Sequence, residues 1–316
     1  MASGRKSGEF VILSGSANRG LAEAVCAELH HPLGQCRTER FPDGEVGVEI
    51  EESVRGLQVF LIQPTSPPVN DHVVELMALA DACRRASAKH VAAVIPYFGY
   101  ARADRRKNRR IPIMARAVAE LLEASGVDQI AALDLHSPQV EGFFQIPVET
   151  LTAMPTLAEA LRPGLVNDPV IVAPDLGAAE RAAALGEKLG CSVAVLAKRR
   201  LSGREVEIKS VIGQVEGRHC LIFDDMISTG GTILKAAEAL FEAGCRPEIR
   251  VVATHAVFRG EVPRRFRAAG ITEILVTDTI DNEAARQPGV SRVSVAPLLA
   301  EAVGRLVAGE SLKDLL

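Results

Sequence analysis

Short apolar runs alternate with amphipathic stretches along most of the chain. Apolar runs of strand length predict buried parallel strands, whereas apolar residues three and four positions apart predict helices that cover a sheet. In the first half of the chain, this pattern predicts strands at residues 10–14, 59–63, 91–96 and 130–134, with helices near residues 20–30, 72–87 and 113–125. The alternation is typical of an α/β fold.

The second half of the chain repeats the same rhythm. Strands are predicted at residues 170–174, 192–197, 219–224, 250–255 and 273–277, with helices near residues 178–189, 232–243 and 262–269. We therefore predict two doubly wound parallel-sheet domains. Pro147 and Pro155 flank the change of series, which places the domains at residues 1–153 and 154–296. An apolar helical pattern follows, and we expect the segment 297–316 to pack back on the first domain.

Composition excludes several classes of protein. A length of 316 residues suits two domains, and a net charge of −4 without a long basic block disfavours a nucleic-acid partner. The six cysteines are scattered without a Cys-x-x-Cys pair, which predicts reduced core residues in a cytoplasmic protein. The start of the chain lacks the apolar stretch of a secretory signal, and no segment is apolar for long enough to cross a bilayer. We expect no membrane partner.

The segment 219–232 carries the strongest chemical signal. An apolar run leads into Asp224 and Asp225, and a small-residue loop then opens a helix; the loop consists of Ser228, Thr229, Gly230, Gly231 and Thr232. Backbone N–H groups of such a loop suit a phosphate, and glycines remove the Cβ atoms that would block its approach. The alternative is an ordinary turn with an acidic cap. Adjacent carboxylates with no neighbouring cation in the sequence favour a sugar phosphate over that alternative.

Basic residues follow another predicted strand. Lys198, Arg199 and Arg200 come directly after the run 192–197, where they could neutralise polyphosphate charge. The polar stretch 201–210 contains a glycine and has the composition of a flap that closes over a substrate. A solvated basic turn is the alternative.

Three further segments end predicted strands with polar residues. Asp134 and His136 are spaced to reach a metal-bound phosphate, although a lone histidine is more often structural. Asp175 precedes a glycine and a helix, so it is either a ligand residue or a helix cap. The segment 97–110 joins aromatic residues to six cations, which suits a nucleotide base above its phosphates. A Walker A loop is missing, because Leu21 follows the glycine pair of residues 15–20 where lysine is required.

Together these segments resemble the ribose-phosphate pyrophosphokinase family. The resemblance covers nearly the whole chain, and seven motifs in the family's order are far more specific than any one of them. They occupy residues 41–45, 96–102, 110–113, 134–136 with 142–147, 173–177, 198–200 and 224–232. Ala103 and Ser228 depart from the commonest family pattern, in which these positions carry Gln and Asp.

The resemblance implies two domains of phosphoribosyltransferase type and transfer of a pyrophosphoryl group from ATP to the C1 hydroxyl of ribose 5-phosphate. It implies that Lys198 and Arg200 are catalytic and that Asp224, Asp225 and residues 228–232 bind ribose 5-phosphate. His136 and Asp175 are implied to contact Mg²⁺-bound phosphates. The implied ATP-binding residues, partly from a neighbouring subunit, are Phe41, Asp43, Glu45, Arg102, Asp104 and His136. A homo-oligomer is expected, since related enzymes form dimers that often stack into hexamers.

Two other functions are compatible with parts of the sequence. A phosphoribosyltransferase would share the Asp224–Thr232 segment but would not need the Arg-rich first domain. A non-catalytic regulatory homologue would be expected to have lost residues such as Lys198 or Asp225, and both are present.

Overall fold

The computed structural model describes residues 10–106, 110–165, 168–200 and 206–316; the side chains of residues 198–200 and 206–209 lie outside the described part. The chain divides into two compact units. The first comprises the described residues up to Thr152, together with Thr279–Asp281 and Val295–Leu316. The second comprises Ala153–Asp278 and Asn282–Ser294. Both are α/β units with parallel sheets, which confirms the predicted fold class.

The first unit contains a five-stranded parallel sheet and a separate two-stranded hairpin. The strand order of the sheet is β1-β4-β5-β6-β7, and the hairpin pairs β2 with β3 antiparallel. The elements in chain order are β1 (Phe10–Ser14), α1 (Arg19–Glu28), β2 (Cys36–Arg40), β3 (Val46–Ile50), β4 (Gln58–Ile62), α2 (Val69–Arg85), β5 (His90–Ile95), α3 (Met114–Ala124), β6 (Gln129–Leu133) and β7 (Val148–Leu151).

The second unit contains a seven-stranded sheet in the order β10-β9-β8-β11-β12-β13-β14. Its elements are α4 (Met154–Leu161), β8 (Pro169–Ala173), α5 (Ala179–Leu189), β9 (Ser192–Arg200), β10 (Val206–Ile212), β11 (His219–Ile227), α6 (Gly231–Glu242), β12 (Ile249–Ala256), α7 (Val262–Ala268), β13 (Ile271–Thr277) and β14 (Val290–Val293). Only β10 runs antiparallel to its neighbour among the described strands of this sheet. The chain then returns to the first unit with α8 (Ala296–Ala308), which packs against α1.

Alternating residues of each strand in the second unit enter different apolar clusters. Ile222 of β11 is buried in a cluster with α6 and α7, whereas its neighbours Leu221 and Phe223 are buried with α4 and α5. Successive side chains of a strand point to opposite faces, so helices cover both faces of this sheet. No helix among the described residues is long and apolar enough to span a bilayer.

The strand order of the second unit creates a natural ligand position. β8 lies between β9, which follows it in the chain, and β11, which comes later. The chain runs from β8 to β9 on one side and later reaches β11 on the other side. Open α/β sheets bind ligands in the crevice at the carboxyl ends of two strands where the strand order reverses in this way, here β8 and β11. The turn after β8 and the end of β11 meet at this switch point.

β11 and β9 each continue three residues farther at their carboxyl ends than the sequence predicted. β11 continues to Ile227, so Asp224 and Asp225 lie inside the strand. Pairing with β8 stops at Ile222, but β12 carries the hydrogen-bonded ladder onward to Ile227. β9 likewise continues to Arg200 because β10 pairs with it. The basic cluster therefore forms the end of a strand, and residues 206–210 of the predicted flap lie in β10, which pairs with that strand. Residues 201–205 of the predicted flap lie outside the described part of the chain.

Candidate active site

The two adjacent carboxylates near the end of β11 have a cationic partner. Nη2 of Arg181, on α5, lies 3.1 Å from Oδ1 of Asp225 and 3.8 Å from Oδ1 of Asp224. Asp225 is 2% exposed and the side chain of Asp224 is 20% exposed. The sequence has no cation beside the pair, and in the fold a residue 44 positions away supplies one.

Burial dominates the electrostatics of Asp224. It raises the pKa of that carboxyl well above its usual range, and the neighbouring Asp225 raises it further. The N–H group of Asp225, which donates to Oδ1 of Asp224 at 3.0 Å, and the Arg181 guanidinium act in the opposite direction. The net effect is a pair of carboxyl groups whose shared negative charge is only partly balanced. Hydroxyl donors from a ligand would relieve this imbalance.

The loop from β11 to α6 presents unused backbone donors. The N–H groups of residues 229–232 have no hydrogen-bond acceptor within the described part of the chain. The first internal bond of the helix is donated by Leu234 to the carbonyl oxygen of Gly230 at 2.9 Å. Arg265 on α7 fixes the loop by donating to the carbonyl oxygen of Thr229 at 3.3 Å. Unpaired donors at the positive end of a helix form a site for an anion.

The two glycines of this loop are required for different reasons. Gly230 has φ +75°, and a Cβ atom there would lie 2.5 Å from the ring of Phe266 on α7. Its role is therefore backbone conformation and packing, and the expectation that it clears space for a ligand was wrong. A Cβ on Gly231 would meet nothing closer than Oγ1 of Thr229 at 3.8 Å. Gly231 thus borders open space beside the unused donors.

Asp175 lies at the same edge of the sheet. It follows β8, and its Oδ1 accepts a hydrogen bond from the N–H group of Ala178 at 3.2 Å, so it caps the short turn Leu176–Ala178. That turn contacts β11. Helix capping and ligand contact, which the sequence left as alternatives, are compatible in this geometry.

In the first unit, the predicted site residues Asp134 and His136 follow the end of β6. Asp134 has φ +42° and accepts a hydrogen bond from Oγ1 of Thr152 at 2.9 Å, which ties the end of β6 to the end of β7. His136 follows two residues later and is half-buried. Across the described ranges, no three His, Cys, Asp or Glu side chains are grouped as a metal site.

The loop after β5 carries Arg102 on an anchored backbone. The N–H group of Gly99 donates to Oγ1 of Thr65 at 2.6 Å, and that hydroxyl donates to the carbonyl oxygen of Tyr97 at 3.1 Å. Arg102 itself is exposed. The Asp104 side chain is largely buried, with Oδ1 3.8 Å from Nε of Arg105. These hydrogen bonds anchor the backbone at residues 97–99, and the Arg102 side chain that follows is accessible.

The hairpin of β2 and β3 brings Phe41, Asp43 and Glu45 together at its tip. The N–H group of Phe41 donates to the carbonyl oxygen of Glu45 at 2.9 Å, and the N–H group of Glu45 donates to Oδ1 of Asp43 at 3.1 Å. All three residues are exposed, and Phe41 is 44% exposed. An aromatic ring in this position is available to a ligand or to another chain.

The two predicted catalytic cations can be placed only by their backbone. Lys198 is opposite Ile208 and Arg200 is opposite Val206 in the register of β9 and β10. Their side chains lie outside the described part of the structure.

Comparison with known proteins gives matches over nearly the whole chain. Residues 10–126 match the N-terminal domain of ribose phosphate pyrophosphokinase, and residues 203–316 match the phosphoribosyl synthetase-associated domain. A ribose-phosphate pyrophosphokinase of Ralstonia nicotianae is 46% identical over 97% of this chain and 98% of its own length. The enzyme of that name from Thermotoga maritima is 45% identical over 95% of this chain and 96% of its own length.

A solved structure shares the fold of the full chain. The crystal structure of phosphoribosylpyrophosphate synthetase from Mycobacterium smegmatis superposes with a TM-score of 0.89 at 34% identity. The match covers 95% of this chain and 99% of that one.

Proposed function

The chain belongs to the ribose-phosphate pyrophosphokinase family, and from this premise we propose which residues bind each substrate. The enzyme transfers the β,γ-pyrophosphoryl group of ATP to the C1 hydroxyl of ribose 5-phosphate. The C1 oxygen bonds to the β-phosphorus, the bond from that phosphorus to the α,β-bridging oxygen breaks, and the hydroxyl proton is released. The products are phosphoribosyl pyrophosphate and AMP.

Ribose 5-phosphate binds at the switch point of the second unit. Residues 228–232 hold the 5-phosphate, and Asp224 and Asp225 accept hydrogen bonds from the ribose hydroxyls. The observation that carries this assignment is the run of N–H groups at residues 229–232 without an acceptor, placed directly after the carboxylate pair. Arg181 partly balances the negative charge of the pair.

ATP binds to residues of the first unit. Arg102, Asp104 and His136 lie on loops that follow β5 and β6, while Phe41, Asp43 and Glu45 lie at the hairpin tip. The exposure of the tip supports its contribution to a pocket completed by a neighbouring subunit. We infer a homo-oligomer built from dimers that could stack into hexamers. A cytoplasmic location suits its six free cysteines.

Magnesium is held chiefly through the substrate. Mg²⁺ keeps several waters and takes one or two carboxylates plus phosphate oxygens, so a dedicated protein cage is not required. In the second unit, the Asp175 carboxylate is a suitable oxygen donor for Mg²⁺. In the first unit, the ring of His136 suits a phosphate oxygen of Mg²⁺-bound ATP. When bound, Mg²⁺ neutralises charge on the polyphosphate. Lys198 and Arg200 stabilise the charge that develops on the transferring group.

The reaction is tested by phosphorus NMR with ATP, Mg²⁺ and ribose 5-phosphate. AMP and phosphoribosyl pyrophosphate are expected in equal amounts, whereas accumulation of ADP would contradict the transfer.

The sugar site is tested by Asp225→Asn. Losing a charged hydrogen-bond acceptor is expected to raise the KM for ribose 5-phosphate by roughly tenfold or more, with little change in the KM for ATP. Glu238→Gln, on the exposed side of α6, is the control and should change neither constant. Normal saturation of Asp225→Asn by ribose 5-phosphate would refute the assignment.

A further inference from the structure

A fully buried carboxylate on α2 is not used by any step above. Glu75 is 0% exposed, and each of its oxygens accepts two hydrogen bonds. Oε1 accepts from the N–H group of Ser16 at 2.7 Å and from Oγ1 of Thr38 at 2.9 Å. Oε2 accepts from Oγ of Ser16 at 2.6 Å and from Nε2 of Gln63 at 3.0 Å. Four donors on two oxygens satisfy a carboxylate well without a cation among them.

These contacts fill the loop that has P-loop glycine spacing. The N–H group of Ser16 donates to Glu75, and the N–H group of Ala17 donates to Oε1 of Gln63 at 3.1 Å. A Cβ atom on Gly15 would lie 2.3 Å from the Gln63 carboxamide, so only glycine allows Gln63 to approach this closely. Side chains of the protein thus accept from these N–H groups, whereas the N–H groups of residues 229–232 remain for the proposed 5-phosphate.

Glu75 also holds the hairpin that carries the tip residues. Thr38 lies in β2, and the residue two positions on, Arg40, pairs with Asp71 of α2 at 2.6 Å. Asp71 and Glu75 are four residues apart on the helix, a rise of about 6 Å, and two residues of a strand span about 6.8 Å. The spacing of Asp71 and Glu75 on the helix therefore matches the spacing of Arg40 and Thr38 on the strand, so α2 contacts β2 at both positions. The Arg40–Asp71 pair is 41% exposed on both sides and contributes little, which leaves the buried contact as the stronger one.

The hairpin needs such a contact because it stands apart from the main sheet. A two-stranded hairpin is marginally stable by itself, so its direction depends on what it packs against. Its half-buried apolar residues, Cys36, Val48 and Ile50, pack on the core of the first unit. Apolar packing alone tolerates small shifts, whereas a hydrogen bond to a buried carboxylate fixes position along the strand.

We propose that Glu75 is a positioning residue for ATP, which sets the direction of the hairpin tip through Thr38. The proposal rests on the proposed role of Phe41, Asp43 and Glu45 in ATP binding. A carboxylate at one end of the first unit's sheet thereby links the loop after β1, the end of β4 and the hairpin.

The test compares Thr38→Val with Thr38→Ser in the full-length protein. Both variants leave the contacts of Glu75 with Ser16 and Gln63 intact, and only the serine keeps the hydroxyl. Amide hydrogen exchange of residues 36–50 is measured by mass spectrometry, together with the KM values for both substrates. Thr38→Val is expected to exchange about tenfold faster in the hairpin and to raise the KM for ATP severalfold. Thr38→Ser should restore both, and the KM for ribose 5-phosphate should stay unchanged.

The two ways of failing are distinguishable. Equal hairpin exchange in Thr38→Val and Thr38→Ser would overturn the positioning role of Glu75 and leave the ATP assignment standing. Faster exchange without a change in the KM for ATP would overturn the assignment of the tip residues to ATP, and the proposal with it. Asp71→Asn removes the exposed contact of the same helix and is expected to change hairpin exchange less than twofold.

Discussion

The glycine pair after β11 shows how two identical residues in one loop differ in what they tolerate. Gly230→Ala places a methyl group at positive φ and against the Phe266 ring, so we expect it to destabilise the protein by about 1–3 kcal/mol. Gly231→Ala meets no such contact and should leave stability within about 0.5 kcal/mol, while raising the KM for ribose 5-phosphate. Denaturant unfolding and steady-state kinetics of both variants measure this split. Equal destabilisation by the two substitutions would contradict it.

Asp224 should make the ligand-free protein less stable as pH rises. Its raised pKa means that the folded protein keeps a proton that the unfolded chain releases near pH 3.9. Between that pH and the raised pKa, the free energy of unfolding therefore falls with increasing pH. Asp224→Asn removes the titrating group, so its stability advantage over the unsubstituted protein should grow across this window. Thermal unfolding of both proteins at several pH values measures this advantage. A stability difference that does not change with pH would contradict the prediction.

Residues of the site that are adjacent in the sequence were predicted correctly to lie together. Contacts between residues far apart in the sequence were not predicted. Asp224, Asp225 and the small-residue loop are consecutive, so their proximity follows from the chain itself. Arg181 joins them from another helix, and no spacing in the sequence indicates that approach. The contact of Gly230 with Phe266 is hidden for the same reason.

Among the elements, strands in the two cores were predicted well because burial on both faces produces continuous apolar runs. β1 has the predicted bounds, and β4, β5 and β6 are shifted by one residue. β2 and β3 were missed, since both are partly exposed and β2 carries charged residues at three of its five positions. β10 was also missed, and the hairpin tip with Phe41 was found through family resemblance alone.

The loop after β5 is anchored where Gly99 packs closely against Thr65. A Cβ atom on Gly99 would lie 2.5 Å from the carbonyl oxygen of Thr65, so Gly99→Ala must displace the loop that carries Arg102. We expect the KM for ATP to rise roughly tenfold and the KM for ribose 5-phosphate to stay constant. Kinetics with each substrate varied in turn provide the measurement.

Gly20→Ala is the matched control for that substitution. Gly20 is an exposed residue of α1, and a Cβ atom there meets nothing within 4 Å. Its kinetics should be unchanged. An unchanged KM for ATP in Gly99→Ala would show that the loop does not serve that substrate.

At the scale of the whole molecule, the fold class and the family are confirmed by matches over nearly the full chain. The assignment of residues 1–153 and 154–296 as separate phosphoribosyltransferase-like domains stays a prediction. Alternating strands and helices were enough to indicate two α/β units, because each unit repeats the pattern. The strand order of each sheet was not predicted, since hydrophobic periodicity does not show which strands are neighbours.

The first unit is completed later than the second unit during synthesis, because α8 follows the second unit in the chain. The first unit begins at residue 10 of the described chain, yet the helix that packs on its α1 spans Ala296–Ala308. Translation usually lets the earlier domain finish first. Here the ribosome releases the last helix of the first unit only after the second unit is fully made. The surface of α1 that α8 covers therefore stays uncovered until α8 itself has been synthesised.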